Sequence, residues 1–295
     1  MQQFTCREDK QSATGYAWDD RNDSINILPT QMYNIYSMSD KIVYLAGFPA
    51  FGNVTVGKDW NRIGFISTIN LPVAQAMDDY ERYASVGDVL KSQDAFAVAS
   101  SVGQDMVTWK GSLQYLEVGK GYMLKRLGSS KVEFNYPIYF EENRYSGKTL
   151  SRATRSADVT TATTMNVVAR VEGVDTEAAD RLVVFRGAER IAEAIADEEQ
   201  LFYLNIGSDD KADGTFTFAI EREGEIVATT PTRMTYVPNG LAGTPDAPTA
   251  ISFTPLDQMP HDGMWYTIGG MKTGARKPAQ SGAYIYNGKV VLIRK

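Results

Sequence analysis

The chain is poor in the residues that most often do chemistry. It holds one cysteine, Cys6, and one histidine, His261, in 295 residues. A single thiol cannot close an internal disulfide. One histidine with one cysteine falls short of the usual three or four zinc ligands, so neither a metal nor a cofactor is expected. Such thiol poverty suits the cytosol, and equally a bacterial exported protein that relies on its core. Positive charge is also in deficit: 30 Lys and Arg stand against 36 Asp and Glu, a formal charge of -6. Nucleic-acid binding favours a net basic face, so that class of partner is not expected. Long apolar runs are absent too. No stretch approaches the roughly 18 residues of a spanning helix, so a soluble chain without a transmembrane segment is expected. The opening "MQQFTCREDK" has no apolar core, so no signal peptide is expected within it, and an exported form would carry its signal upstream or have lost it.

What is present is a globular composition. Hydrophobic residues make up 43% and charged residues 22%, enough for a core, and the length allows about two domains. Turn residues punctuate short runs of β-formers: "KIVYLAGF" (41–48), "WNRIGFIS" (60–67), "DVLKSQ" (88–93), "AFAVAS" (95–100), "MVTW" (106–109), "GYMLKRL" (121–127) and "VEFNYP" (132–137). Each has the length and composition of a strand. One helix is expected over "LPVAQAMDDYERYAS" (71–85), with Pro72 in the first turn and Val73, Ala76, Met77, Tyr80, Tyr83 and Ala84 at helical spacing. The stretch 141–164 is polar, rich in Ser, Thr and Arg, and is read as a linker. After it, "MNVVARV", "RLVVFRG", "QLFYLNIG", "GTFTFAIER", "EIVATT" and "RMTYVP" recur about every ten residues, the pattern of an antiparallel sandwich. "GAERIAEAIADEEQ" (187–200) has helical composition, yet Ile191, Glu193 and Ile195 alternate with Ala192, Ala194 and Ala196, and it is assigned to a strand. The fold class is therefore mainly β: an antiparallel β-rich domain with one helix (1–140), the linker (141–164), an Ig-like β-sandwich (165–254) and a carboxy-terminal segment (255–295). That segment ends in "SGAYIYNGKVVLIRK", where Asn287-Gly288 between two β-rich runs signals a tight hairpin.

Candidate chemistry is sparse. His261 sits in the turn "MPHDGMW" without a neighbouring nucleophile, and a surface turn residue is the expectation. "SDDKADGT" (208–215) partly echoes an acidic calcium loop, but Lys211 takes a ligand position and no bidentate Glu follows, so a hairpin turn is preferred. Asp78 and Asp79 fit a solvated helix face, and Asp88 in "VGDVL" an Asx-type turn. "VGKGYM" (118–123) has no helix after it to bind phosphate, which leaves a turn into a strand. Trp60 and Trp109 lie in strand patterns and are assigned to the core. Trp18, in "GYAWDDRND", is the candidate for an exposed glycan-binding ring.

Three regions carry a family resemblance. The ending "WYTIGGMKTGARKPAQSGAYIYNGKVVLIRK" (265–295) resembles the carboxy-terminal sorting sequence of the type IX secretion system of Bacteroidota. Its features map to Tyr266 and Gly270, to Gly282, Tyr284 and Ile285, and to Gly288, Lys289, Val290, Val291 and Lys295. Ala283 and Met271 depart from the common pattern. "DWNRIGFISTINLPVAQAMDDY" through "FNYP" resembles a module found near the carboxy end of large Bacteroidota surface proteins, and "MNVVARVEGV" through "GTPDAP" resembles the sandwich that follows it. Asp23-Ser24-Ile25 is similar to the O-glycosylation sequence of exported proteins of that group. The resemblance implies a non-catalytic module, secreted or at the outer cell surface, that forms the carboxy-terminal part of a larger protein and has the secretion machinery as partner. The alternative is a carbohydrate-binding or adhesive module with a glycan or host protein as ligand. A peptidase or glycosidase lacks a placeable nucleophile or carboxylate pair.

Overall fold

The computed structural model describes residues 28–33, 52–101, 107–137, 163–187, 189–207 and 214–293. The fold is mainly β, and the chain divides into two compact units, Met1–Gly147 and Lys148–Lys295. The expected strand 41–48, most of the linker 141–164, Cys6, Trp18, Ser24, the acidic loop 208–213 and Lys295 lie outside the described residues.

The first unit contains β1 (Val54–Val56), β2 (Asp59–Gly64), β3 (Leu71–Pro72), α1 (Val73–Ala76), α2 (Asp78–Glu81), β4 (Val89–Lys91), β5 (Phe96–Ser101), β6 (Val107–Gly111), β7 (Tyr115–Leu116), β8 (Gly121–Arg126) and β9 (Val132–Phe134). Its main sheet runs β2-β8-β4-β5-β6, with β1-β9 and β3-β7 as separate pairs. Period-2 alternation divides the sheet's side chains. Ile63, Leu90, Ala97, Tyr122 and Leu124 join the core that holds Val73, Ala76, Met77 and Tyr80 of the helical turns. Val89, Phe96 and Val98 are equally buried on the other face. Burial on both faces is why "AFAVAS" reads as a nearly unbroken apolar run.

The single helix expected over 71–85 is instead two four-residue turns. Leu71 and Pro72 pair with Leu116 and Tyr115 as a strand, which puts Pro72 at the N-cap and not in the first turn. The helix then breaks at Met77, whose carbonyl accepts from both Tyr80 and Glu81. Helical spacing survives because Val73, Ala76, Met77 and Tyr80 still face the core. Tertiary bonds from Asp79 and Tyr80, described below, hold the second turn in its own place.

The second unit contains β10 (Thr164–Glu172), β11 (Arg181–Arg186), β12 (Glu189–Ile195), β13 (Leu201–Gly207), β14 (Thr215–Arg222), β15 (Glu225–Thr235), β16 (Leu241–Ala242), β17 (Thr249–Ser252), β18 (Thr254–Pro255), a 3-10 turn (Leu256–Gln258), β19 (Trp265–Thr267), β20 (Lys272–Gly274), β21 (Gly282–Tyr286) and β22 (Lys289–Ile293). One sheet runs β12-β11-β14-β15-β18 and another pairs β13, β10, β16 and β17. Between them lie Val167, Ala169, Leu182, Val184, Phe202, Leu204, Ile206, Phe216, Phe218 and Ile220, all fully buried. Fully burying one such side chain stabilises by about 1.5–3 kcal/mol. The stretch 189–195 is a strand, as its alternation suggests. Ile191, Ala192 and Ala194 pack on the core while Ile195 is 51% exposed, so the inner face is set by one isoleucine and the alanines.

Two details differ from the expected sandwich. "EIVATT" and "RMTYVP" form one strand, β15, which passes through Pro231 at a register shift between Ala219↔Thr229 and Thr217↔Arg233. A bulge is where a residue without an N–H can sit inside a sheet. Secondly, β16 and β17 pair with β10 in parallel. The chain reaches them by crossing from the sheet of β15 to the sheet of β10, and a crossover, unlike a hairpin, permits parallel pairing.

Candidate functional site in the carboxy-terminal sheet

The residues singled out at the end of the chain converge on a third sheet of the second unit, ordered β20-β19-β21-β22. Its hairpin closes through Asn287 and Gly288, with φ of 48° and 71°, and pairs Tyr286 with Lys289 across a two-residue loop. Positive φ at both central positions is the type I′ geometry that Asn-Gly favours. The last strand is thus ordered by sequence-local chemistry and by pairing along its length, from Gly282↔Ile293 to Tyr286↔Lys289.

The two faces of this sheet differ. Tyr266, Ile268, Ala283 and Ile285 are buried together with Leu256 and Met259, and Ile226, Met264 and Val290 lean on them. The other face carries a row of aromatics: Trp265 stacks on Tyr286 at 4.7 Å and meets Tyr284 edge-on at 6.5 Å. Tyr284 lies along its own strand, so that a Cβ added at Gly282 would meet the ring at 3.0 Å. Gly282 has no positive φ; it is crowded instead by the ring above it. Gly288 combines both demands, since a Cβ there would stand 2.5 Å from His261 Nε2 as well as on a left-handed residue. His261 is exposed, as its turn suggests, with its ring against the hairpin loop.

Asp262 organises the polar end of the sheet. Its Oδ2 accepts from the Tyr266 hydroxyl at 2.8 Å and from Lys272 Nζ at 3.0 Å, while Oδ1 accepts from the Met264 N–H at 3.0 Å. The Tyr266 hydrogen bond, with help from Lys272, holds the carboxyl below its ordinary range. Donating to Asp262 raises the Tyr266 phenol and the Lys272 ammonium. Each group is held in its resting charge state, which suits a structural clasp and opposes proton transfer at neutral pH. Asn287 Oδ1 accepts from the Gly263 N–H at 3.0 Å and ties the 261–264 turn to the hairpin loop. Gly270, at φ 75°, turns β19 into β20.

Thus Tyr266, Gly270, Gly282, Tyr284, Ile285, Gly288, Lys289 and Val290 belong to one sheet and its turns, while Trp18 and Lys295 lie outside the described residues. Asp262, Trp265 and Tyr286 are not among the site residues expected from the sequence. Asp262 stands four residues before Tyr266, a spacing no strand periodicity explains. Trp265 and Tyr286 sit directly opposite each other, which only the register reveals.

Other polar clusters serve the fold. Asp88 is fully buried and accepts from the Tyr80 hydroxyl at 2.7 Å, the Ser85 N–H at 3.0 Å and the Leu127 N–H at 2.8 Å. This is not the Asx turn expected, because its carboxylate reaches backward to Ser85 and across to β8's end. Burial first, and then Asp88, raises the Tyr80 phenol. Asp79 accepts from the Asn135 N–H at 2.7 Å and pairs with Arg82, so it is not simply a solvated face. Trp109 packs on the core, whereas Trp60 is half-buried with Lys91 Nζ 4.7 Å from its ring centre. Lys91 is buried and its ammonium is pushed down to about 8, by burial first and by Lys125 second. In the second unit Arg222 grips buried Asp180 in a bidentate pair, Nε to Oδ1 at 2.9 Å and Nη2 to Oδ2 at 2.8 Å. Among the described residues no three of His, Cys, Asp and Glu gather as a metal-ligand set, and no helix is long and apolar enough to cross a membrane. No family model, curated protein or solved structure matches the chain.

Proposed function

We propose that this chain is a non-catalytic, β-rich module of a secreted or cell-surface protein and that its carboxy-terminal sheet is the element by which a type IX-like machinery sorts it. The observation that carries the reading is the ordered terminal hairpin: the described residues of the sorting resemblance share one sheet and its turns, with a packed face, a type I′ turn and ring-covered glycines. A signal recognised as a folded β-structure needs its last strand held in register, and this sheet supplies that. The clasped state of Asp262, Tyr266 and Lys272 supports a structural role over a catalytic one. The test is transfer. Residues 255–295, with enough preceding strand to fold, are fused to a periplasmic reporter in a host that has this secretion system. Surface delivery of the reporter, lost when Gly288→Val is introduced, is the expected result. A reporter that stays periplasmic with the intact tail, while the host exports its own substrates, refutes the reading.

The aromatic row supports a second reading, a carbohydrate-binding or adhesive module. Tyr284 and Tyr286 are partly exposed on the outer face beside Trp265, and flat rings of this kind stack on apolar sugar faces. A glycan array bound by the full chain and lost in Tyr286→Ala would favour it, and a blank array removes it.

A further inference from the structure

We infer that the free edge of β22 is a strand-pairing site for an extended, acidic segment of a partner protein. In a two-residue hairpin the residues flanking the loop form a hydrogen-bonded pair, and such pairs alternate along the ladder. Tyr286↔Lys289, Tyr284↔Val291 and Gly282↔Ile293 are therefore the bonded pairs of this hairpin. Val290 and Leu292 direct their N–H and C=O groups away from β21. Among the described residues no strand other than β21 pairs with β22, so those four backbone groups line its open edge.

The other edge of this sheet and both edges of the five-stranded sheet β12-β11-β14-β15-β18 are blunted by familiar devices. On the same sheet β20 has three residues, includes Lys272 and faces a register shift at Trp265/Tyr266. In the neighbouring sheet β18 has two residues and ends on Pro255, while β12 carries Glu189, Arg190 and Glu193 and is bulged against β11. Short length, charge, proline and bulges are how proteins prevent edge pairing. The strand β22 has none of them between its ends: Val290, Val291, Leu292 and Ile293 follow its single charge, Lys289, and its ladder has no register shift. An extended segment could add four backbone hydrogen bonds there, the mode of β-strand addition.

Charge selects the occupant. The strand opens on exposed Lys289 and is followed in the sequence by Arg294 and Lys295, with no acidic residue between 282 and 295. A second copy paired through the same strand would bring like charges together at both ends. A partner strand with acidic residues at its ends and apolar residues between them gains at the same positions. The site stands on the register and the charges, so a negative export assay leaves it untouched.

The probe is the fluorescein-labelled peptide Glu-Val-Tyr-Val-Glu, blocked at both ends, titrated with the full chain by anisotropy at low salt. Its counterpart with both Glu replaced by Lys is the comparison. Val290→Pro removes one outward N–H and leaves the bonds to β21 intact, so binding should weaken by about tenfold or more, while Val290→Ala, which also gives up packing on the Leu256–Ile285 cluster but keeps the N–H, should bind like wild type. Lys289→Glu keeps the edge and changes the charge at one end only, so it should narrow the preference for the acidic peptide, which tests the proposal even if the proline variant misfolds. Equal binding of the two peptides, no binding of either, or undiminished binding to folded Val290→Pro overturns it. Self-association in sedimentation that Val290→Pro abolishes also overturns it, by making a second copy the occupant.

Discussion

Replacing Asp88 by Asn should unfold the first unit at a markedly lower temperature, although the two side chains have nearly the same shape. The carboxylate accepts three hydrogen bonds through two oxygens, from Tyr80, Ser85 and Leu127, in a fully buried place. An amide has one oxygen. Set toward Ser85 and Tyr80, it turns its NH2 against the Leu127 N–H; flipped, it meets the Ser85 N–H. The Tyr80 hydroxyl can rotate to accept, but a backbone N–H cannot. One buried donor is left without a partner in either pose, which costs about 1–3 kcal/mol, and the surviving bonds lose charge assistance worth about 1 kcal/mol more. The expected loss is about 2–4 kcal/mol. For a unit of this length that corresponds to a fall of roughly 6–13 °C in Tm. Tyr80→Phe removes a single donor and leaves both N–H bonds on the carboxylate, so it should cost about 1 kcal/mol. Calorimetry and urea denaturation give the ordering, and hydrogen exchange at Ser85 and Leu127 reports the broken bond directly. If Asp88→Asn proves no worse than Tyr80→Phe, or if neither amide exchanges faster, the buried carboxylate is not what staples these loops together.

At the hairpin, Gly288→Ala should destabilise by about 1–2 kcal/mol through its left-handed backbone and the crowding of His261. His261→Ala added to it should recover only the steric part, which a double-mutant cycle in urea will separate. Acid stability should depend on Arg222: its hydrogen bonds hold the Asp180 carboxyl below the ordinary value, so the folded pKa lies under the unfolded one. The stabilisation is then complete above the unfolded Asp pKa of about 4 and is lost as pH falls through the folded value. Arg222→Gln should accordingly be less stable than wild type at pH 7, with the gap closing toward pH 2, when both are followed by circular dichroism. A gap that stays constant across that range would place Arg222's contribution elsewhere.

Much of this protein is written locally. Short β-rich runs between turn residues located the described strands of five or more residues, because period-2 alternation and turn chemistry act within a few residues of each other, whereas β1, β3, β7, β16, β17, β18 and β20, of two to four residues, lie outside those runs. The 189–195 strand shows the method at its best, since alanines in alternation outweighed a helical composition. Asn287-Gly288 specified its turn outright, because positive φ at two successive residues is a local cost that few dipeptides bear. The same local logic misread 71–85, where helical spacing was real but Pro72 belonged to a strand pair and Asp79 and Tyr80 were claimed by distant partners. What the tertiary structure alone decided are pairings between residues far apart in the chain. Asp88 meets Leu127 across 39 positions, Gly288 is required partly by the His261 ring, and Trp265 finds Tyr286 only through the register of β19 on β21. That β21 is the one strand pairing with β22 among the described residues belongs to the same class, since a strand's own residues do not say which neighbours it takes. Local propensity depends on neighbours in the chain, and long-range contacts depend on which of many compatible surfaces the whole core brings together.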